Sequence, residues 1–198
     1  NPEKAKLLQR FFKTGKGDYG EGDIFLGICV PEQRKIAKKY TELSLTQIQI
    51  LLNSKIHEHR LVGLLILIEK FEKTNDKKEI FEFYMSNYDN INNWDLVDLS
   101  SHKIAGVYLI DKDKKILYDF AKSNHLWKKR ISIVSTYAFI KNNIFKDTLK
   151  ISEILLNNKH DLIQKAVGWM LREVGKKNQD VEEDFLNKHY KNMPRTML

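Results

Sequence analysis

Three short constellations in this 198-residue chain carry side chains suited to chemistry. The first is Asn92-Asn93-Trp94-Asp95-Leu96-Val97-Asp98. Trp94 and Asp98 are four residues apart, so a helix there places an indole and a carboxylate on one face. An asparagine cap suits its start. Asp95 falls in the first turn, where a carboxylate complements the helix dipole, so it reads as a capping residue. Asp98 sits deeper, and capping does not explain it. The plain alternative for Trp94 is an ordinary core residue.

The second constellation is Asn124-His125-Leu126-Trp127-Lys128-Lys129-Arg130. From Lys122 to Lys150 the cations are Lys122, Lys128, Lys129, Arg130, Lys141, Lys146 and Lys150, against Asp147 alone. Cations at a helix start oppose its dipole, and a bound anion would relieve the mismatch. A solvated helix start is the plain alternative. The third is Gln164-Lys165-Ala166-Val167-Gly168-Trp169-Met170-Leu171-Arg172. Lys165, Trp169 and Arg172 share one helix face. Gly168 costs such a helix about 1 kcal/mol relative to alanine, which implies a close approach of another helix or a ligand.

The stretch from Lys13 to Asp23 holds four of the nine glycines. Its backbone N–H groups could cradle a phosphate, although the Gly-Lys-Ser/Thr ending of a P-loop is missing. A flexible loop between two helices is the alternative.

These residues need elements to hold them, and the elements read as helices. Only three prolines interrupt the chain. Apolar residues recur at three- and four-residue spacing in Leu61, Leu64, Leu65 and Ile68, in Ile131, Val134, Tyr137 and Ala138, and in Ile163, Ala166, Val167, Met170, Leu171 and Val174. No stretch alternates with period two between turns, so no sheet is expected. Pro31 suits the first turn of a helix, and Ser44 with Gln47 suits a capping box. Turn residues then divide the chain into helices over 31–40, 44–53, 56–73, 76–87, 92–103, 113–123, 125–141, 145–157, 160–177 and 179–190. Pro194 to Leu198 reads like a further helix just starting. Helices of this length with short connections predict an all-α fold, a curved α-α superhelix (solenoid) of HEAT-like repeats forming one domain over 1–198. Equivalent faces of such a stack line one concave surface.

Composition narrows the partners. Hydrophobic residues make up 42% and charged residues 30%, which suits one folded domain. The net charge of +8 favours a polyanion: DNA, RNA or an anionic membrane surface. Cys29 is the single cysteine, so neither an internal disulfide nor a cysteine-based zinc site is expected. His57 and His59, two apart on a helix, point to different faces and make a poor metal pair. The apolar run Leu61 to Ile68 is far shorter than the ~20 residues of a membrane span. With no signal-peptide pattern at its start, the chain reads as cytoplasmic.

The order and content of four segments resemble the DNA alkylation repair family of HEAT-like DNA glycosylases. They are Phe25-Leu26-Gly27-Ile28-Cys29-Val30-Pro31-Glu32-Gln33-Arg34, Trp94-Asp95-Leu96-Val97-Asp98, Trp127-Lys128-Lys129-Arg130 and Ile163-Gln164-Lys165-Ala166-Val167-Gly168-Trp169-Met170-Leu171-Arg172-Glu173. The resemblance implies a basic concave groove for duplex DNA and removal of cationic N3- and N7-alkylated purines without flipping the base into a pocket. It maps the catalytic carboxylate onto Asp98, the groove tryptophans onto Trp94 and Trp169, and the essential arginine onto Arg130. Phosphate contacts fall on Arg34 and Arg172, with Lys128, Lys129 and Lys165 beside them. The glycine-rich 13–23 segment departs from the family, and Tyr19 matches a DNA-contacting tyrosine only loosely.

In that chemistry a fixed carboxylate stabilises an oxocarbenium-like sugar and orients a water. A nearby Arg130 would lower the pKa of Asp98 and keep it ionised. No metal or organic cofactor is required, and no obligate protein partner is inferred. Two other readings stay open. One is a non-catalytic DNA-binding protein of the same fold. The other is a HEAT-like scaffold whose Trp94, Trp169 and Arg130 anchor a peptide.

Overall fold

The computed structural model describes residues 1–198, and its regular elements are helical. The only β-type feature is an isolated parallel bridge between Ile24 and Ile56. The chain divides into two compact units, Asn1–Leu96 and Val97–Leu198.

The first unit holds α1 (Pro2–Phe11), α2 (Val30–Lys39), α3 (Leu45–Leu52), α4 (His57–Lys73) and α5 (Lys77–Ser86). Ser44 and Gln47 form the expected capping box at α3, and Pro31 lies in the first turn of α2. Helix α4 is the core. Its stripe Leu61, Leu64, Leu65 and Ile68 is buried, and α2, α3 and α5 pack against it. The sequence reading did not include α1. None of its residues is fully buried, so its apolar periodicity is faint, and the Asn1 side chain, accepting from the Lys4 N–H, starts it instead.

Between α1 and α2 the glycine-rich stretch winds back on the end of α1. The Gly20 N–H bonds the Lys13 carbonyl at 3.1 Å, and the Gly17 N–H bonds the Glu21 carboxylate at 2.8 Å. A Cβ on Gly20 would lie 2.6 Å from the Phe12 carbonyl oxygen, so only glycine permits this approach.

Helix α6 (Trp94–Ser100) runs across the division of the chain. One π-helical turn (His102–Gly106) and α7 (Val107–Leu109) continue it, so the helix expected over 92–103 extends to 109. A Cβ on Gly106 would collide with the Ser135 carbonyl oxygen, which explains the glycine where the π turn meets its neighbour.

The rest of the second unit comprises α8 (Lys115–Lys122), α9 (Leu126–Ser135), α10 (Tyr137–Lys141), α11 (Lys146–Leu155), α12 (Asp161–Gly175) and α13 (Gln179–His189). Helix α9 is central, packed by the π turn, α8, α11 and α12, and α12 also packs against α11 and α13. The expected single helix over 125–141 breaks at Thr136. There the backbone N–H and the side-chain hydroxyl both donate to the Ile133 carbonyl, at 3.1 and 2.6 Å, tightening the turn. Pro194 to Leu198 forms a turn rather than a starting helix, with the Met197 N–H on the Pro194 carbonyl at 2.8 Å. Met197 is buried, and a Cβ on Gly168 would strike its carbonyl oxygen. The close approach expected at Gly168 is therefore made by this terminal turn, neither a helix nor a ligand.

Candidate functional site

In the second unit Asp98 and Arg130 meet as a bidentate pair. Arg130 Nε donates to Asp98 Oδ1 at 2.9 Å, and Nη2 donates to Oδ2 at 2.8 Å. Arg130 Nη1 donates to the backbone carbonyl of Leu162 in the first turn of α12. The guanidinium is buried, while the Asp98 side chain keeps 21% exposure. Helices α6, α9 and α12 each contribute one partner. Arg130 is buried because it shares its face of α9 with Trp127, Ile131 and Val134, all of them core residues. A planar fork over both oxygens is the strongest geometry an arginine and a carboxylate can adopt.

Trp169 of α12 lies beside Tyr137 of α10, ring centroids 5.9 Å apart, and Tyr137 meets His102 edge to face at 5.4 Å. The Lys141 ammonium sits 4.6 Å over the Tyr137 ring. Burial pushes the His102 pKa down to about 4, aided by the charges of Lys141 and Lys103, so this imidazole is neutral at physiological pH.

The cations expected to hold phosphate stand at the surface of their helices. Lys128 and Lys129 are half-buried on α9, with the Lys128 ammonium 5.4 Å from the Phe120 ring centre. The cap at that helix start is His125, whose Nδ1 accepts from the Lys128 N–H. Lys165 and Arg172 are exposed on α12. Lys165 pairs with Asp161 at 3.0 Å, and Arg172 lies 3.8 Å from Glu173. Exposed pairs like these are worth at most about 1 kcal/mol, so they do not withhold the cations from a polyanion.

In the first unit Trp94 is half-buried. It stacks on Phe12 at 5.1 Å, meets Phe11 edge-on at 5.8 Å, and donates its Nε1–H to the Tyr19 hydroxyl at 3.2 Å. Asp95 lies in the first turn of α6, with Oδ1 accepting from the Leu96 N–H at 2.8 Å. Its other oxygen lies 2.7 Å from His57 Nε2 of α4. Arg34 is exposed on α2.

The sequence reading missed Tyr19 as the partner of Trp94, His57 as the partner of Asp95, and Tyr137 with His102 beside Trp169. No local spacing signals these contacts, since the partners lie 75 and 38 residues apart in the first two cases.

In this helical protein a buried arginine thus grips a partly exposed carboxylate, with cations along the same helices. The family model of DNA alkylation repair enzymes matches residues 1–198, and the chain belongs to that family. Its fold is similar to a solved structure described as a predicted DNA alkylation repair enzyme from Enterococcus faecalis. The TM-score is 0.80 and the identity 18%, with 100% of this chain and 92% of that one covered. At this identity the likeness shows the fold. No curated protein sequence matches the chain. No helix is long and apolar enough to cross a membrane.

Proposed function

We propose that this chain is a DNA glycosylase that hydrolyses the N-glycosidic bond of N3- and N7-alkylated purines in duplex DNA, without drawing the base into a pocket. The observation that carries the reading is the Asp98 carboxylate, held on both oxygens by buried Arg130 and still partly open to solvent. Alkylation leaves the purine cationic, so the C1′–N bond breaks with its electron pair going to the base and neutralising it. Positive charge then develops on the deoxyribose. A fixed carboxylate stabilises that charge. With 21% of its side chain exposed, Asp98 can also orient the attacking water and take its proton as the C1′–O bond forms.

Trp94 and Trp169 are assigned the role of offering indole faces to the cationic sugar, an interaction worth roughly 0.5–2 kcal/mol. Arg34, Lys128, Lys129, Lys165 and Arg172 are assigned to phosphates, which position the duplex without reading its sequence. The enzyme would act in the cytoplasm on nucleoid DNA, as a monomer.

The same ion pair supports a second reading. It is complete without a substrate, as a purely structural clamp would be, and this favours a DNA-binding protein of the same fold that excises nothing. Chromatographic base release from methylated duplex DNA, with wild type and Asp98→Asn side by side, separates the two. Release of 7-methylguanine or 3-methyladenine by the wild type alone supports the glycosylase. Tight, salt-sensitive duplex binding with no release by either protein supports the clamp.

A further inference from the structure

Four ionisable side chains meet at the start of α4, and the reaction proposed above uses none of them. Asp23 ends the glycine-rich loop, His57 and Arg60 lie on the first turn of α4, and Asp95 lies on the first turn of α6. Arg60 Nη2 donates to Asp23 Oδ2 at 2.6 Å, and Nη1 donates to the Ser54 carbonyl at 2.8 Å. His57 stands between the carboxylates, Nε2 at 2.7 Å from Asp95 and Nδ1 at 3.5 Å from Asp23. It is 2% exposed.

Both ring nitrogens of His57 face carboxylate oxygens, which only accept, so the arrangement calls for a proton on each nitrogen. Charge leads to the same state. Two carboxylates and one guanidinium leave a buried cluster one negative charge in excess, and an imidazolium cancels it. The other polar groups nearby do not change this balance. Glu58, next on α4, is turned onto the backbone N–H groups of Leu26, Gly27 and Ile28 at 2.8 to 3.3 Å. Lys4 of α1 and Cys29 join His57, Glu58 and Asp95 in lining a cavity of about 230 Å³, where the Cys29 thiol is held by Glu32 at 2.9 Å. Phe25 and Phe12 cover the ring of His57 at 4.4 and 5.2 Å, and their faces favour a cation.

Phe12 is also the ring on which Trp94 stacks, and Trp94 precedes Asp95 in the chain. We infer that His57 is a positioning residue: by donating to Asp95 on one side and Asp23 on the other, it fixes the first turn of α6 and with it the indole of Trp94. The role in base excision rests on the glycosylase reading; the positioning of the indole does not.

Burial opposes the charged form of His57, and Arg60 does so weakly. The hydrogen bonds to Asp23 and Asp95 and the Asp95 charge outweigh both, so the pKa lies above the ordinary imidazole value. The clamp is therefore complete below the ordinary imidazole value and is lost as pH rises through the raised value of the folded chain. The neutral ring keeps one N–H, so one carboxylate loses its donor, and the charge attraction between His57 and Asp95 that holds the first turn of α6 is weakened.

The test uses the full chain labelled with 5-fluorotryptophan, its resonances assigned by single Trp→Phe variants. The Trp94 fluorine signal and the His57 ring protons are followed between about pH 6 and 9. Trp94 should titrate with the midpoint of His57. His57→Gln keeps an uncharged donor toward Asp95 and should abolish that step. Tyr19→Phe, which removes only the indole's hydrogen-bond partner, should preserve it. In base release, His57→Gln should lower kcat about tenfold or more, leave duplex affinity within about threefold, and flatten the alkaline limb of the pH profile.

A Trp94 signal that stays flat through the His57 titration overturns the inference, as does loss of the step in Tyr19→Phe or an unaltered step in His57→Gln. If His57→Gln does not fold, Asp95→Asn, which keeps an oxygen for the Leu96 N–H, must abolish the step in its place. The fluorine experiment contains no DNA. A chain that releases no base would thus undo the glycosylase reading while leaving His57 to be judged on the titration alone.

Discussion

Arg130 spans both carboxylate oxygens of Asp98 at 2.9 and 2.8 Å and spends its remaining nitrogen on the Leu162 carbonyl. One side chain of α9 thereby holds the end of α6 and the beginning of α12. Removing it leaves a partly buried carboxylate and a buried carbonyl without their donor. Because Asp98 keeps some solvent, the expected cost of Arg130→Ala is about 2–4 kcal/mol, at or below the usual range for breaking a buried pair. For a chain of this size that is a fall of about 5–15 °C in melting temperature. Arg130→Lys should recover little, since an ammonium cannot cover both oxygens. A melting temperature unchanged in Arg130→Ala would show that the pair holds nothing together.

Asp98→Asn separates chemistry from binding. Base release at saturating DNA should fall at least about a hundredfold while duplex affinity stays within about threefold. Arg130→Ala, by contrast, should weaken release and affinity together. Thermal melting run on both variants guards against counting unfolded protein as lost catalysis.

His102 titrates opposite to His57. Its folded value of about 4 lies below the unfolded 6.5. The stability it contributes is therefore present in full above the unfolded value and is lost as pH falls through about 4. His102→Phe keeps a ring against Tyr137 and should flatten the acid limb of the melting-temperature profile. The same assignment predicts that the His102 ring protons in the wild type do not shift between neutral pH and about pH 5. A midpoint near the ordinary imidazole value would refute it.

Lys128 and Lys129 test the duplex contact. If each neutralises one phosphate, single alanine variants should each reduce the slope of log affinity against log salt by about 1. Base release at saturating DNA should stay within about threefold, because these contacts position the duplex and perform no chemistry. Filter binding across a salt series measures the slope. An unchanged slope in both variants would remove these lysines from the interface.

The all-helical fold, the buried stripes of α4 and α12, and the capping box of Ser44 and Gln47 were legible in the sequence. So was the spacing that puts Trp94 and Asp98 one turn apart on α6. Each depends on residues within a few positions of one another, and helix periodicity and capping are written at that range. The four ordered motifs also made the family resemblance visible, and the family match bears it out. Tertiary structure alone decided which charges meet. Arg130 reaches Asp98 across 32 residues and His57 reaches Asp95 across 38, distances at which no pattern in the chain names a partner. It also set the break at Thr136, the π turn after Ser101 and the docking of Met197 on Gly168. The physical reason is common to all of them. Helix formation is a local preference, whereas the pairing of buried charges and the fit of a backbone against a glycine arise only once helices have packed and excluded water.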